Sequence, residues 1–238
     1  MLIQACLNGA RRRGEHPFLP LLLDELVRDA RACARAGATS LHVHPRDGAG
    51  KETLDPGLVD TAAGAMRAGA GIPVGVTTGA WIEPDPERRA ALVSEWTSPN
   101  FASLNLYEEG FEAVAWALLD TGIEIEAGIE TEADVERLVA SGLANRVLRV
   151  LIEVVDEDPE EAARHALELD RALDAHGVGA PRLHHGSGDA TWAVIAQAGE
   201  LGRDLRIGLE DVLTLPNGDL APDNAALVGA AVAVRRAA

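Results

Sequence analysis

Lysine is nearly missing from this chain of 238 residues: Lys51 stands alone against 20 arginines. Schiff-base or phosphate-loop chemistry would have to use Lys51, and its polar Gly-Ala-Gly-Lys-Glu turn suits neither. Cysteine is scarce too. Cys6 and Cys33 make neither a disulfide framework nor a cysteine zinc cage. Positive charge is short overall, with 21 basic residues against 38 acidic ones and a net charge of −17. That balance excludes nucleic acid or an anionic membrane surface as the main partner, since both need a positive footprint. No apolar run reaches the ~18 residues of a membrane span, and the N-terminus lacks a basic-then-apolar export pattern. The expectation is a cytoplasmic protein. What the chain does have is apolar residues, 47% of the total, enough for a sizeable core.

Those residues fall into an alternation. Short β-branched runs at 2–7, 39–44, 72–77, 101–106, 122–127, 146–153, 181–185 and 205–210 predict strands. Amphipathic runs at 21–36, 56–69, 85–95, 111–120, 132–141, 158–176, 189–201 and 222–236 predict helices between them. Prolines such as Pro56, Pro86 and Pro159 stand at helix starts, where a missing N–H costs little. Gly37, Gly71, Gly142 and Gly177 follow helix ends, where a left-handed residue is wanted. Eight strand–helix units at about 30 residues each predict an α/β fold of one domain, residues 1–238, closed as a TIM (β/α)8 barrel. The rival, a doubly wound open sheet, calls for a glycine-rich phosphate turn after strand one. The segment Asn8–Gly14 has only part of that pattern.

In a barrel, chemistry belongs at the C-terminal ends of the strands. Strand two ends His42-Val43-His44, and residues two apart on a strand share a face. The two imidazoles serve either as a chelating pair or as barrel-filling histidines. Strand eight reads Arg206-Ile207-Gly208-Leu209-Glu210-Asp211, and the same rule puts Arg206 and Glu210 on one face. Strands two and eight flank strand one, so Glu210 can meet both histidines. Two histidines and a carboxylate leave a coordination position open, the form of a catalytic zinc site. Other polar strand ends are Thr77-Thr78-Gly79, Ser103 with Asn105, Glu124 with Glu126, and His184-His185-Gly186-Ser187-Gly188. The adjacent His184 and His185 face opposite ways, so at most one joins an inward site. Arg11-Arg12-Arg13 is the densest basic cluster at the catalytic end, and the loops after strands seven and eight are a common phosphate position in barrels.

The segments "AGATSLHVHPRD" and "RIGLED", with "VTTGA", "ASLN" and "GIEIEAGIE" in order between them, resemble the β-keto acid cleavage enzyme family. The resemblance implies a zinc-dependent barrel that condenses a β-keto acid with acetyl-CoA, then splits the adduct into acetoacetate and a new acyl-CoA. It implies zinc on His42, His44 and Glu210, proton abstraction by Arg206 with Asp211, and an active-site role for Glu126. Thr78 falls beside the family's strand-three serine, and Ser103 and Asn105 fall in its strand-four segment. Arg11, Arg12 and Arg13, with the Gly186-Ser187-Gly188 turn, are then candidates for the CoA phosphates. A homo-oligomer, dimer or tetramer, is also implied. Departures include Asn8-Gly9-Ala10 in place of Thr-Gly-Ala and Val212 where asparagine is common. The rival on the same fold is a zinc hydrolase of a small amide, lactone or ester, which needs no CoA. The rival outside enzymes is a degenerate barrel that senses a ligand.

Overall fold

The computed structural model describes residues 2–237. Eight parallel strands close in chain order into one barrel. They are β1 Ile3–Cys6, β2 Ser40–Val43, β3 Val74–Thr77, β4 Phe101–Asn105, β5 Glu124–Ile129, β6 Arg149–Val154, β7 Arg182–Gly186 and β8 Asp204–Ile207. The helices are α1 Leu23–Ala36, α2 Pro56–Ala70, α3 Pro86–Val93, α4 Phe111–Thr121, α5 Glu132–Ala140, α6 Pro159–Ala175, α7 Thr191–Glu200 and α8 Asn224–Ala237. A short 3-10 turn, Gly188–Ala190, precedes α7, so the helix expected from residue 189 begins at Thr191. Among the described residues no helix is long and apolar enough to cross a membrane.

Local chemistry sets these boundaries. Pro56, Pro86 and Pro159 occupy the first turns of α2, α3 and α6. Asp55, Asp85 and Asp158 sit just before them and accept first-turn N–H groups. Gly37 and Gly71 close α1 and α2 in left-handed geometry, with φ of 117° and 73°.

Strand alternation divides the side chains. Ile3, Ala5, Leu41, Val43, Val74, Val76, Leu104, Ile125 and Ile207 pack outward into the apolar layer beneath the helices. The lumen takes the alternate set and is more polar. Gln4 donates to Glu126 at 2.7 Å, Arg149 donates to the same carboxylate at 2.5 Å, and the Arg149 guanidinium lies 4.5 Å from the centre of the Phe101 ring.

Strand eight departs from expectation. It stops at Ile207 rather than running to residue 210. Gly208 presses on β1 so closely that a Cβ there would lie 1.8 Å from the Cys6 carbonyl oxygen. The chain then turns, with the N–H groups of Asp211 and Val212 donating to the Gly208 carbonyl at 2.9 and 3.0 Å. Gly208→Ala must push backbone from backbone, where no side chain can give way. We expect a loss of on the order of 3 kcal/mol in stability, read as a lower urea midpoint.

Candidate active site

His42 lies inside β2, and His44 follows the strand's last residue. Their Nε2 atoms are 3.1 Å apart. Oε1 of Glu210 comes in from the turn after β8, 3.3 Å from Nε2 of His44 and 3.8 Å from Nε2 of His42. Ligands about 2.0–2.1 Å from a tetrahedral zinc are separated by roughly 3.3–3.5 Å, so the three atoms span a metal-sized gap. Two further observations fit a cation there. Oε2 of Glu210 is buried without a hydrogen-bond partner among the described residues. Gly9 (φ 51°) leaves the space that Glu210 fills, since a Cβ there would lie 2.3 Å from Glu210 Cγ.

Electrostatics agree. Burial, with the Arg206 guanidinium nearby, holds His42 well below the usual histidine range, in the neutral form that binds metals. For His44, burial opposes charge but the Glu210 and Glu52 carboxylates outweigh it and raise its proton affinity. Burial would likewise raise Glu210, yet Arg206 and the two histidines hold it well below the usual carboxylate range.

Behind the ligands lies a second cluster. Arg206 reaches Glu210 at 2.5 Å, Asp211 at 3.3 Å and Glu153 at 4.0 Å. Strict alternation would have turned Asp211 away from Glu210; the turn after Gly208 brings both to the site. Nε2 of His185 is 3.0 Å from Asp211, and its Nδ1 is 3.7 Å from Glu153. His184 points outward to Asp170 on α6, 3.5 Å away, so one histidine of the pair joins the site. Burial raises the proton affinity of Glu153 despite His185 and Arg206.

The other expected residues are placed less uniformly. Glu126 is fully buried one pleat deeper in β5 than Gly128, and it is tied to Arg149 and Gln4 rather than to the metal ligands. Thr78 spends its hydroxyl proton on the Ser103 carbonyl at 2.7 Å. Asn105 donates to Tyr107 Oη and Glu108 at 3.0 and 3.2 Å. Ser103 lies in the lumen between Thr77 and Glu126, and its hydroxyl makes no hydrogen bond among the described residues. Arg11 braces the ligand turn: its Nε donates to the Leu209 carbonyl at 2.5 Å. Gly186 is buried under α7, its carbonyl accepting from Thr191 at 2.9 Å. Ser187 is exposed in a shallow cavity shared with Asp156, Glu157 and Asp189, an acidic setting for a phosphate.

A larger cavity of about 1040 Å³ opens beside His44. Arg12, Arg13, Arg46 and Lys51 line it, against Asp47 and Glu52, and Trp81 forms one wall. Sequence reasoning missed Glu52, Trp81, Glu153 and His185. Glu52 sits in a stretch that reads as a solvated turn, and Trp81 and Glu153 carry no motif. For His185 the doublet was the available signal, but alternation alone does not say which member faces inward.

The model of the beta-keto acid cleavage enzyme family matches residues 1–176 and 135–238. A 3-oxoadipate:acetyl-CoA acetyltransferase of Cupriavidus necator is 26% identical over 258 residues, covering 98% of this chain and 87% of its own. A 3-keto-5-aminohexanoate cleavage enzyme of Fusobacterium nucleatum is 22% identical over 244 residues, covering 96% and 88%. Among solved structures, ObcA in ternary complex with a C4-CoA adduct and oxalate superposes with a TM-score of 0.67 at 18% identity, over 90% of this chain. The chain spans only 62% of the length of ObcA. A 3-dehydroquinate dehydratase from Geobacillus kaustophilus superposes at 0.66 with 15% identity, over 99% of this chain. These two structural likenesses show the barrel alone. The two matched spans overlap and together run from the first residue to the last, so the chain belongs to the beta-keto acid cleavage enzyme family.

Proposed function

We propose that this protein is a zinc-dependent enzyme that condenses a β-keto acid with acetyl-CoA and then cleaves the adduct to acetoacetate and a new acyl-CoA. The observation that carries the reading is the convergence of His42, His44 and Glu210 beside the Arg206–Asp211 pair, next to a large cavity whose wall includes Glu52 and Trp81, the partners of His44. The names of the two curated relatives, one an acetyl-CoA acetyltransferase and one a keto acid cleavage enzyme, support it.

Zinc on the three ligands supplies a Lewis acid for the oxygens of the keto acid. The rest falls to the chain. Asp211 takes the proton from the carbon between the two carbonyls, held in place by Arg206 at 3.3 Å and His185 at 3.0 Å. Arginine is a poor base above pKa ~12, so Arg206 orients and compensates rather than abstracts. The carbanion then attacks the thioester carbonyl to give a tetrahedral oxyanion, which collapses by expelling CoA thiolate. That thiolate adds to the former ketone carbon, the bond to the acetylated carbon breaks, and acetoacetate takes its proton back as the new acyl-CoA departs. The free hydroxyl of Ser103 is better placed to donate to the resulting oxyanion than Thr78 or Asn105, whose hydrogens are committed. Glu126 acts from below, through its bonds to Gln4 and Arg149.

For the CoA phosphates the cavity rim is the better seat. Arg12 and Lys51 are exposed there and form no ion pair within 4.0 Å among the described residues. Arg13 is held only by an exposed pair to Glu25 at 3.4 Å, which costs little to break. Ser187, beside three carboxylates, and Gly186, buried under α7, are poorer seats for a phosphate. The cytoplasmic location and the dimer or tetramer implied by the family resemblance belong to the same proposal. Phe18, Leu22 and Leu23 offer an apolar patch, 68%, 56% and 42% exposed.

The test is a screen of β-keto acids with the zinc-loaded protein, reading acetoacetate. We expect turnover that needs both acetyl-CoA and bound metal. Metal-dependent hydrolysis of an amide, lactone or ester without CoA would favour the hydrolase; zinc-loaded protein that turns over no β-keto acid would favour a ligand sensor.

A further inference from the structure

We propose that Glu52 is a positioning residue that selects Nε2 of His44 as the metal-binding nitrogen. The inference rests on the metal reading above and adds to it a residue outside the ligand set.

The loop between β2 and α2 brings Glu52 to its place. Beyond Val43 the chain doubles back as a small hairpin in which Arg46 and Glu52 pair as an antiparallel bridge. The Asp47 N–H donates to the Lys51 carbonyl at 2.8 Å, and the Thr53 N–H to the Pro45 carbonyl at 3.1 Å. The Asp47 carboxylate closes the tip by accepting from the N–H groups of Ala49 and Lys51 at 2.8 and 2.9 Å. The returning limb lays Glu52 along the edge of the His44 ring, with Oε1 2.6 Å from Nδ1. The carboxylate is itself held. The Trp81 indole N–H donates to Oε1 at 3.1 Å, and Arg46 stands 3.9 Å from Oε2.

An ionised carboxylate has only acceptors, so the hydrogen between Glu52 and His44 sits on Nδ1. The lone pair is then on Nε2, which faces Nε2 of His42 at 3.1 Å and Oε1 of Glu210 at 3.3 Å. A hydrogen bond on the far nitrogen is the usual means of fixing the tautomer and ring angle of a metal-binding histidine. Trp81 fixes the ring's face as Glu52 fixes its edge. The two rings stack at 6.0 Å with a 25° interplanar angle. Gly79 makes room for this, because a Cβ there would lie 2.4 Å from the indole. His42 has no such support, since its Nδ1 is buried without a partner among the described residues. The site thus has one histidine set from outside and one set by packing.

The test strips the full-length protein of metal and reloads it. Zinc affinity is measured by competition with a chromophoric chelator, and coordination by the visible spectrum of the cobalt(II)-loaded protein. Glu52→Ala is expected to bind zinc about 10–100-fold more weakly and to alter the cobalt bands. Glu52→Gln, whose amide oxygen still accepts from Nδ1, is expected to stay within about threefold of the parent. Glu52→Met fills the space without an acceptor and should follow Glu52→Ala; thermal unfolding of the metal-free proteins identifies any variant that fails to fold. Parent-like zinc affinity in both Glu52→Ala and Glu52→Met would overturn the proposal. So would a Glu52→Gln protein as weak as Glu52→Ala, since charge and not tautomer would then be at work. A parent protein that takes up neither metal overturns the metal reading itself, and this one with it.

Discussion

Zinc affinity should fall by about 10³-fold or more in His42→Ala and in His44→Ala, and acetoacetate formation should disappear with it. The parent protein should carry roughly one zinc per chain. The two imidazoles and Glu210 have ligand atoms mutually close enough to share the ion; Glu210 also lies that close to Cys6 and Asp211, a set without an imidazole. A tetrahedral site reduced to two protein ligands loses most of its binding free energy. Both histidine side chains are buried, 1% and 5% exposed, and three of their four ring nitrogens meet each other, Glu210 or Glu52 rather than the backbone. Urea unfolding of the metal-free proteins separates the cost of the cavity left by alanine from the loss of metal. Metal content by elemental analysis and affinity by chelator competition give the measurement. A contrast sharpens it. Glu210→Gln should lose metal, whereas Asp211→Asn should keep metal and lose turnover, because Asp211 meets Arg206 and His185 and not the histidine ligands. Unchanged zinc affinity in both histidine variants would remove the site.

Arg206→Met should be the most damaging substitution for stability near this site. The guanidinium is 4% exposed and faces three carboxylates, those of Glu210, Asp211 and Glu153. Methionine matches its length without its charge and leaves those groups facing His185 and the ligand histidines without a guanidinium between them. Removing one partner of a buried charge cluster costs about 3–5 kcal/mol. Turnover should fall by at least about 10²-fold. The pH dependence follows from the shifts. In the parent, Glu210 is held well below the usual carboxylate range, so its stabilising share is present above the unfolded value and is lost as pH falls through the folded one. Without Arg206 the largest influence opposing burial at Glu210 is gone, and Glu153, already raised by burial, loses a counter-charge, so protonating these two groups costs the folded state less. The deficit against the parent, read as urea midpoints, should be largest near pH 7 and should shrink towards pH 5. An Arg206→Met protein with the parent's midpoint at neutral pH would show that the cluster is compensated by other means.

Much of this site was legible without coordinates, and the reason is periodicity. His42 and His44 are two apart at the end of a β-branched run, and the two-residue repeat of a strand leaves one outcome for their shared direction. Arg206 and Glu210 meet the same rule, although the strand ends at Ile207 and a turn delivers Glu210. That turn also delivers Asp211, which the period-two rule would have sent away. Glu126 shows the opposite case. Its inward direction was readable, but its depth was not, and depth makes it a partner of Arg149 and Gln4. The surroundings of Ser187 were equally invisible in sequence: its cavity holds Asp156 and Glu157 from the loop after β6 as well as Asp189 from its own loop.

The sequence by itself determined the eight βα units, their order and the inward face of each strand. These follow from local rules: side-chain alternation, helix periodicity, and prolines and glycines at the joints. Only the tertiary structure decided which strand ends meet and at what height. Barrel closure sets β8 against β1, and the contact between Gly208 and the Cys6 carbonyl ends the strand where it does. Glu52 reaches His44 by a local hairpin that no periodicity announces, whereas Trp81, Glu153 and His185 join the site from loops and strands remote in sequence. No periodic signal spans such distances, because their meeting is fixed by closure of the whole barrel rather than by any one segment.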